Sequence, residues 1–338
     1  MIALLVGLLS AHAADRVVVH TGDTVEAIAA AAGDPTAAAA IRAENGLADG
    51  DQPRPGTILV LPDALSGTAR DAAVLSVFGG VHATIPSIGK VAVETSMPLP
   101  PESRVCTDVD GYVTIRLAVS EGGGHHDDIT LLPGTCLTIE ATSARRKGRS
   151  SVVALNRGSI TVPPLGPGEQ RGEITVATEA GVTSAEDGGF RVHVEEAGQR
   201  TEALYTGLSV FGEGVELSLR AGQGSRVPLG GAPTSPVDLL GAGTPDAPPN
   251  GATLRRPDFS WLRVETALGY QVELARSADF RDMLVLQSVD RPAWEPDRLL
   301  LPGDVEGIWW RVATIDRHGF IGIPSKPRRL DLPPGVRP

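Results

Sequence analysis

Three patterns of apolar and polar positions follow one another along the chain. In the first, Val17-Val18-Val19-His20 reads as a β-branched strand and Thr21-Gly22-Asp23 as a turn. Thr24 is placed to N-cap an Ala-rich helix over residues 25 to 32, which Gly33-Asp34-Pro35 stops. Thr36 caps a second helix through Ala43, ended by Asn45-Gly46, and Pro55-Gly56-Thr57 turns into the strand Ile58-Leu59-Val60-Leu61. The predicted order is strand, helix, helix, strand.

The second pattern begins after Ser66-Gly67-Thr68 and is strict alternation. Val74 to Val81, Gly111 to Leu117 and Ile129 to Ile139 all carry period-two apolar spacing, the mark of strands with one buried face. Gly230 to Gly251 is rich in Gly, Pro and Ala and reads as an extended linker. In the third pattern, Phe259-Ser260-Trp261, Gly269 to Ala275 and Ile308 to Asp316 are strands by alternation and aromatic content. One of Trp309 and Trp310 should face the core with Trp261 and Tyr270, the other a loop or solvent.

Composition supports this reading. Forty Gly and 27 Pro in 338 residues suit many short strands joined by tight turns. The net charge of −11 argues against nucleic acid, which needs clustered Lys and Arg. The one basic cluster, Arg145-Arg146-Lys147-Gly148-Arg149, lies between two strand-like runs and reads as a solvated hairpin tip.

The apolar run Ile2 to Leu9 ends in Ala11-His12-Ala13, which fits a signal peptide over residues 1–13, although no positive n-region precedes it. It is too short to span a bilayer, and no other stretch reads as a transmembrane helix. Export to the periplasm is the expectation. In that compartment the two cysteines, Cys106 and Cys136, are expected to form a disulfide worth roughly 3 to 4 kcal/mol in the chain-entropy model.

Candidate chemistry is sparse. Asp108-Val109-Asp110-Gly111 lacks the further ligands of a calcium loop and reads as a hairpin turn. His125-His126-Asp127-Asp128 could collect a divalent ion only adventitiously, so no metal and no cofactor are expected. The chain has no Gly-x-Ser-x-Gly, no His-Glu-x-x-His and no phosphate-binding Gly-Lys-Ser/Thr loop, and a non-enzymatic role is expected.

The motifs of the first pattern, His-Thr-Gly-Asp-Thr at residues 20 to 24, Ala-Glu-Asn-Gly-Leu at 43 to 47 and Arg-Pro-Gly-Thr-Ile-Leu-Val-Leu-Pro at 54 to 62, resemble a LysM domain. That family grips N-acetylglucosamine-containing glycans such as peptidoglycan in a shallow groove between two loops. The resemblance implies glycan contacts from Gly22, Asp23, Thr24 and Val25 on one side and Asn45, Gly46 and Leu47 opposite, with Val25, Leu47 and Ile58 packing on sugar faces. It also implies that Asn45→Ala with Thr24→Ala weakens binding without unfolding the module. The alternatives are turn residues only, and a degenerate module that no longer binds sugar.

Ser103 to Leu117, Leu132-Pro133-Gly134-Thr135, Leu155 to Ile160 and Ala221-Gly222-Gln223-Gly224 resemble a FecR-type domain, with an altered form of its later signature at Gly181-Val182 and Gly189 to Val192. That family's roll of short strands implies a periplasmic protein-interaction fold. The last pattern, with Gly319 and Ser325, resembles a fibronectin type III-like sandwich.

The expected architecture is mainly β and multidomain. It runs as a βααβ LysM module at 16–62, a linker at 63–72, a β-roll-like FecR domain at 73–229, a linker at 230–250 and an Ig/fibronectin-like sandwich at 251–334. The expected function is a non-catalytic envelope protein that binds peptidoglycan glycan strands and presents its β domains to an unidentified envelope protein. The alternative is a cell-wall hydrolase or transferase with its active site in the middle domain.

Overall fold

A computed structural model of the chain describes residues 15–66, 68–69, 71–119, 126–145, 148–165, 172–296, 299, 301 and 305–332. The expected signal peptide, His125 and the tip Arg146-Lys147 of the basic cluster lie outside these residues. Strand makes up 47% of the structure and helix 6%, so the mainly β, multidomain expectation holds.

The N-terminal unit follows its local signals closely. Arg16–Val18 pairs antiparallel with Ile58–Val60, and between them run the helices Val25–Ala31 and Ala38–Glu44. Thr24 caps the first helix, its hydroxyl accepting from the Ala27 N–H at 3.0 Å. The second has Ala37 at its N-cap and no side-chain cap, because Pro35 opens a 3₁₀ turn over Pro35–Ala37 before the α-helix starts, and it is that turn which Asp34, not Thr36, caps. Val19, Val25, Ile28, Ile41, Leu59 and Leu61 form a small core.

Alternation builds the middle of the chain into two stacked sheets whose pairings close on themselves as a flattened barrel. One sheet runs in space from Gly89–Ala92 through Val81–Ile85, Arg104–Thr107, Cys136–Arg145 and Gly148–Val162. It continues through Glu173–Ala177, Val182–Ala185, Leu208–Gly212 and Val215–Leu219. The other contains Ala72–Phe78, Tyr112–Val119, His126–Leu131, Phe190–Glu195, Gly198–Ala203 and Gln223–Pro228. Strand Gly148–Val162 is long enough to belong to both, its first half pairing in one sheet and its last residues in the other. Inward residues such as Val113, Ile115, Leu137, Val153, Phe190 and Val192 fill the space between them.

Cys106 and Cys136 stand opposite each other on paired strands and are bridged, with Cα atoms 4.2 Å apart. Asp108 to Gly111 is the turn before Tyr112–Val119, with Val109 exposed at its tip. Gly79 is required beside this turn: its φ is +70°, and a Cβ there would fall 2.1 Å from the Asp110 carbonyl oxygen.

Residues 230–250, read from composition as a linker, are instead held in place. Val237–Asp238 extends the second sheet, and Pro245–Ala247 pairs with Phe259–Trp261. The stretch 63–72 likewise contributes Thr68–Ala69, paired with Ala144 and Ser143. Gly, Pro and Ala weaken local periodicity without preventing an edge strand from finding a partner.

The C-terminal unit packs Pro245–Ala247, Phe259–Trp261 and Ala293–Trp294 against a five-stranded sheet. That sheet is ordered Ala252–Thr253, Arg328–Asp331, Gly307–Ile315, Gly269–Ala275 and Met283–Val289. Trp310 is fully buried, edge-on to Phe259 with ring centres 5.1 Å apart, and Trp261 meets Tyr270 at 5.3 Å. Trp309 turns the other way, to a smaller cluster with Phe280 and Tyr112 at the junction with the barrel.

Part of each outer face of the barrel is covered. The N-terminal unit lies on the first sheet, where Ser150 Oγ donates to the Arg16 carbonyl at 3.1 Å and Arg16 pairs with Glu140. The C-terminal unit lies on the second. There alternation points Arg191, His193 and Glu202 away from the barrel core, yet they are only 1%, 6% and 0% exposed. Asp128 joins this polar layer, paired with Arg116 at 2.9 Å and Arg281 at 3.1 Å. Its carboxylate is thus a structural ion-pair partner, and among the described residues no cluster is fit to hold a metal.

Candidate functional site

The groove predicted from sequence is bounded by the loop after the first strand and the loop after the second helix. Gly22 and Gly46 are exposed, with φ of +90° and +64°, so their backbones are presented where a ligand can reach them. Leu47 and Ile58 are half-buried, each leaving part of its side chain accessible.

The other four side chains are engaged within the fold. Val25 is fully buried in the core and cannot lie against a sugar ring. Thr24 is the helix cap, and the Asp23 carboxylate accepts the His20 N–H at 2.8 Å. Asn45 is the pin between helix and strand. Its amide donates to the Ile41 and Val60 carbonyls, and its oxygen accepts the Val60 N–H, each at 2.8 Å.

Asn45→Ala therefore tests stability before it tests binding. Removing the amide leaves the Val60 N–H without its partner, which costs about 1 to 3 kcal/mol. The expected result is a lower melting temperature and faster proteolysis within the first 62 residues; a variant as stable as the parent would show that the pin is dispensable. Asn45→Ala with Thr24→Ala is therefore expected to lower the stability of the module as well as its binding.

Residues 17–62 match the family profile described as LysM domain. This part of the chain is a LysM domain. The match supports glycan binding by the module, and no curated protein matches the chain. Among solved structures, two crystal structures of an anti-sigma factor candidate from Parabacteroides distasonis, at 2.50 and 1.65 Å, align with it. Each is 12% identical, covers 40% of this chain and 59% of that one, and has a TM-score of 0.30. No described helix is long and apolar enough to cross a membrane.

Sequence reasoning missed how the LysM domain is attached. His20 is clamped between two carboxylates of the barrel, with Nδ1 2.9 Å from Glu216 and Nε2 3.5 Å from Glu173. Glu216 also accepts the Thr21 N–H at 2.7 Å and the Ser209 hydroxyl at 2.7 Å. The His20 ring meets Phe211 edge-on at 5.2 Å, and Gly56 rests on the same side chain, where an added Cβ would come within 2.6 Å of the Phe211 Cβ. A His before a Gly-Asp turn gives no local hint of a partner 196 positions away.

The clamp sets the charge of its members. The hydrogen bond to Glu173 raises the His20 pKa to about 9, against the opposing pull of burial and with further help from Glu216. Burial pushes Glu216 up, but hydrogen bonds from Ser209, Thr21 and His20 outweigh it and hold the carboxyl at about 2. Because His20 is raised above its unfolded value of 6.5, its stabilisation is full below pH 6.5 and is lost as pH rises through about 9. Thermal unfolding between pH 6 and 10 is expected to show that loss, and His20→Gln should flatten it. An unchanged slope in the variant would assign the pH dependence elsewhere.

Proposed function

We propose that this is a non-catalytic envelope protein. Its LysM domain binds the glycan strands of peptidoglycan, and its barrel and C-terminal sandwich present surfaces to a protein partner in the periplasm. The observation that carries the reading is the LysM match over residues 17–62. The exposed backbones of Gly22 and Gly46, with Leu47 and Ile58 beside them, support glycan contact made mainly by main-chain groups and apolar edges.

The middle domain is read as FecR-like. Its stacked short strands and its turn at Ala221-Gly222-Gln223-Gly224 support that reading, with the Gly222 N–H bonded to the Ala203 carbonyl at 2.7 Å. The C-terminal unit is read as fibronectin type III-like, on its three-stranded and four-plus-one-stranded sheets around Trp261 and Trp310. The charge states at the clamp suit an ion pair that joins two domains rather than an acid–base site. An imidazole held protonated to about 9 and a carboxyl ionised down to about 2 are both far from the pKa that general acid or base catalysis needs near neutrality.

The test is sedimentation of the full chain with insoluble peptidoglycan, with and without soluble N-acetylglucosamine oligomers as competitor. Pelleting that the oligomers reverse is expected. Protein that stays in the supernatant overturns the tether, and soluble muropeptides released during incubation overturn the non-catalytic assignment in favour of a hydrolase.

A further inference from the structure

Docking of the LysM domain on the barrel leaves an open cleft of about 820 Å³ between them. One wall is the first helix, where Ala27 and Ala31, a single turn apart, are exposed and face the cleft. The opposite wall is barrel, contributing Ser184, Glu186, Ser209 and Ser218. The volume lies in the range of pockets that enclose small organic ligands, roughly 300 to 1,000 Å³.

The floor of this cleft is already ordered. Ser184 donates to Glu173 at 2.7 Å and Ser209 to Glu216 at 2.7 Å, and His20 bridges the two carboxylates. Groups so fixed lose little freedom on meeting a ligand. Small apolar side chains on one side, with carboxylates and hydroxyls on the other, suit a pyranose, which has an apolar face and a rim of hydroxyl donors. The carboxylates of Asp23, Glu173, Glu186 and Asp187 outnumber the single His20 cation among the lining residues, which disfavours an anionic glycan.

Asp23 lines the cleft and also belongs to the loop that carries Gly22 and Thr24. The LysM groove and the cleft therefore meet at one residue. We propose that the cleft is a second saccharide site, shared by the LysM helix and the barrel, which takes the continuation of a neutral N-acetylhexosamine chain held in the groove. This rests on the glycan-binding reading and extends it: binding depends on chain length, and the barrel takes part in it.

Calorimetric titration of the full chain with β-1,4-linked N-acetylglucosamine dimer and hexamer tests the proposal, using the parent, Ala31→Trp and Ser218→Trp. Both substituted residues are exposed on the cleft walls, one on each domain. The parent is expected to bind the hexamer more tightly than the dimer. Each Trp variant should lose about tenfold in hexamer affinity, or about 1.4 kcal/mol, while its dimer affinity is unchanged. Hexamer affinity unchanged in variants that melt like the parent overturns the second site and leaves the LysM groove standing. If the parent binds neither oligomer, the glycan reading itself fails, and the second site with it. A readout that needs no variant is the amide NMR spectrum of the parent: the hexamer, but not the dimer, should shift Ser184, Gly207 and Ser209, and their invariance overturns the proposal.

Discussion

Glu273→Ala is expected to destabilise the protein by about 3 to 5 kcal/mol, the loss typical of a buried ion pair deprived of one partner. Glu273 is 3% exposed at the junction of sandwich and barrel, held between Arg311 of its own sheet and Arg191 of the barrel. Burial raises its pKa, but Arg311 and then Arg191 outweigh that effect, so the carboxyl stays ionised below its ordinary range. Without it, Arg191, itself 1% exposed, keeps a charge that water cannot reach. Urea unfolding should show a lower midpoint, and limited proteolysis should find the sandwich cut sooner. Replacing the triad together, as Arg191→Met, Glu273→Leu and Arg311→Met, should recover most of the loss, because matched apolar groups need no counter-charge. A single variant as stable as the parent would mean that water enters the junction and the ion pair matters little.

The disulfide carries the second large effect. Cys106 and Cys136 are separated by 30 positions, and the bridge closes the loop that contains Tyr112–Val119 and His126–Leu131. Removing it as Cys106→Ala with Cys136→Ala frees that loop in the unfolded chain and should cost roughly 3 to 4 kcal/mol. The comparison to make is the denaturation midpoint of the double variant against the parent, oxidised and reduced. Reduced parent should resemble the variant, and equal midpoints in all three would show that strand pairing alone holds Cys106 against Cys136.

The LysM domain was legible because its signals are short-range. A Thr at the helix start, Gly at turns that need positive φ, and β-branched runs at both ends act within a few residues of where they stand. The strands of the barrel and sandwich were legible for a similar reason, since period-two spacing marks which side chains share a face. Thr36 was misread because a Pro one residue earlier turned the helix start into a 3₁₀ turn capped by Asp34. Residues 237–238 and 245–247 were misread because an edge strand in Gly- and Pro-rich sequence carries no periodicity of its own.

The candidate groove was only half legible. Sequence placed Asn45 beside a turn and the family resemblance offered it as a ligand, but its amide faces the Val60 backbone, 15 residues on. Val25 had the right chemistry for a sugar face, yet the helix turns it inward. Which side of a short helix is buried depends on what lies across from it.

By itself, then, the sequence determined the LysM domain at the N-terminus, the predominance of β structure, the cysteine pair and the acidic net charge. Tertiary structure alone decided what covers each polar face. Alternation in Phe190–Glu195 points Arg191 and His193 away from the barrel core, which would ordinarily mean water, and only the docked sandwich makes that layer a buried ion-pair network. It likewise decided that His20 is held between Glu173 and Glu216, and that a cleft opens beside the clamp. Backbone preferences and hydrophobic spacing act over a turn or a strand, whereas these contacts join residues 82 and 196 positions apart and exist only once the domains have packed.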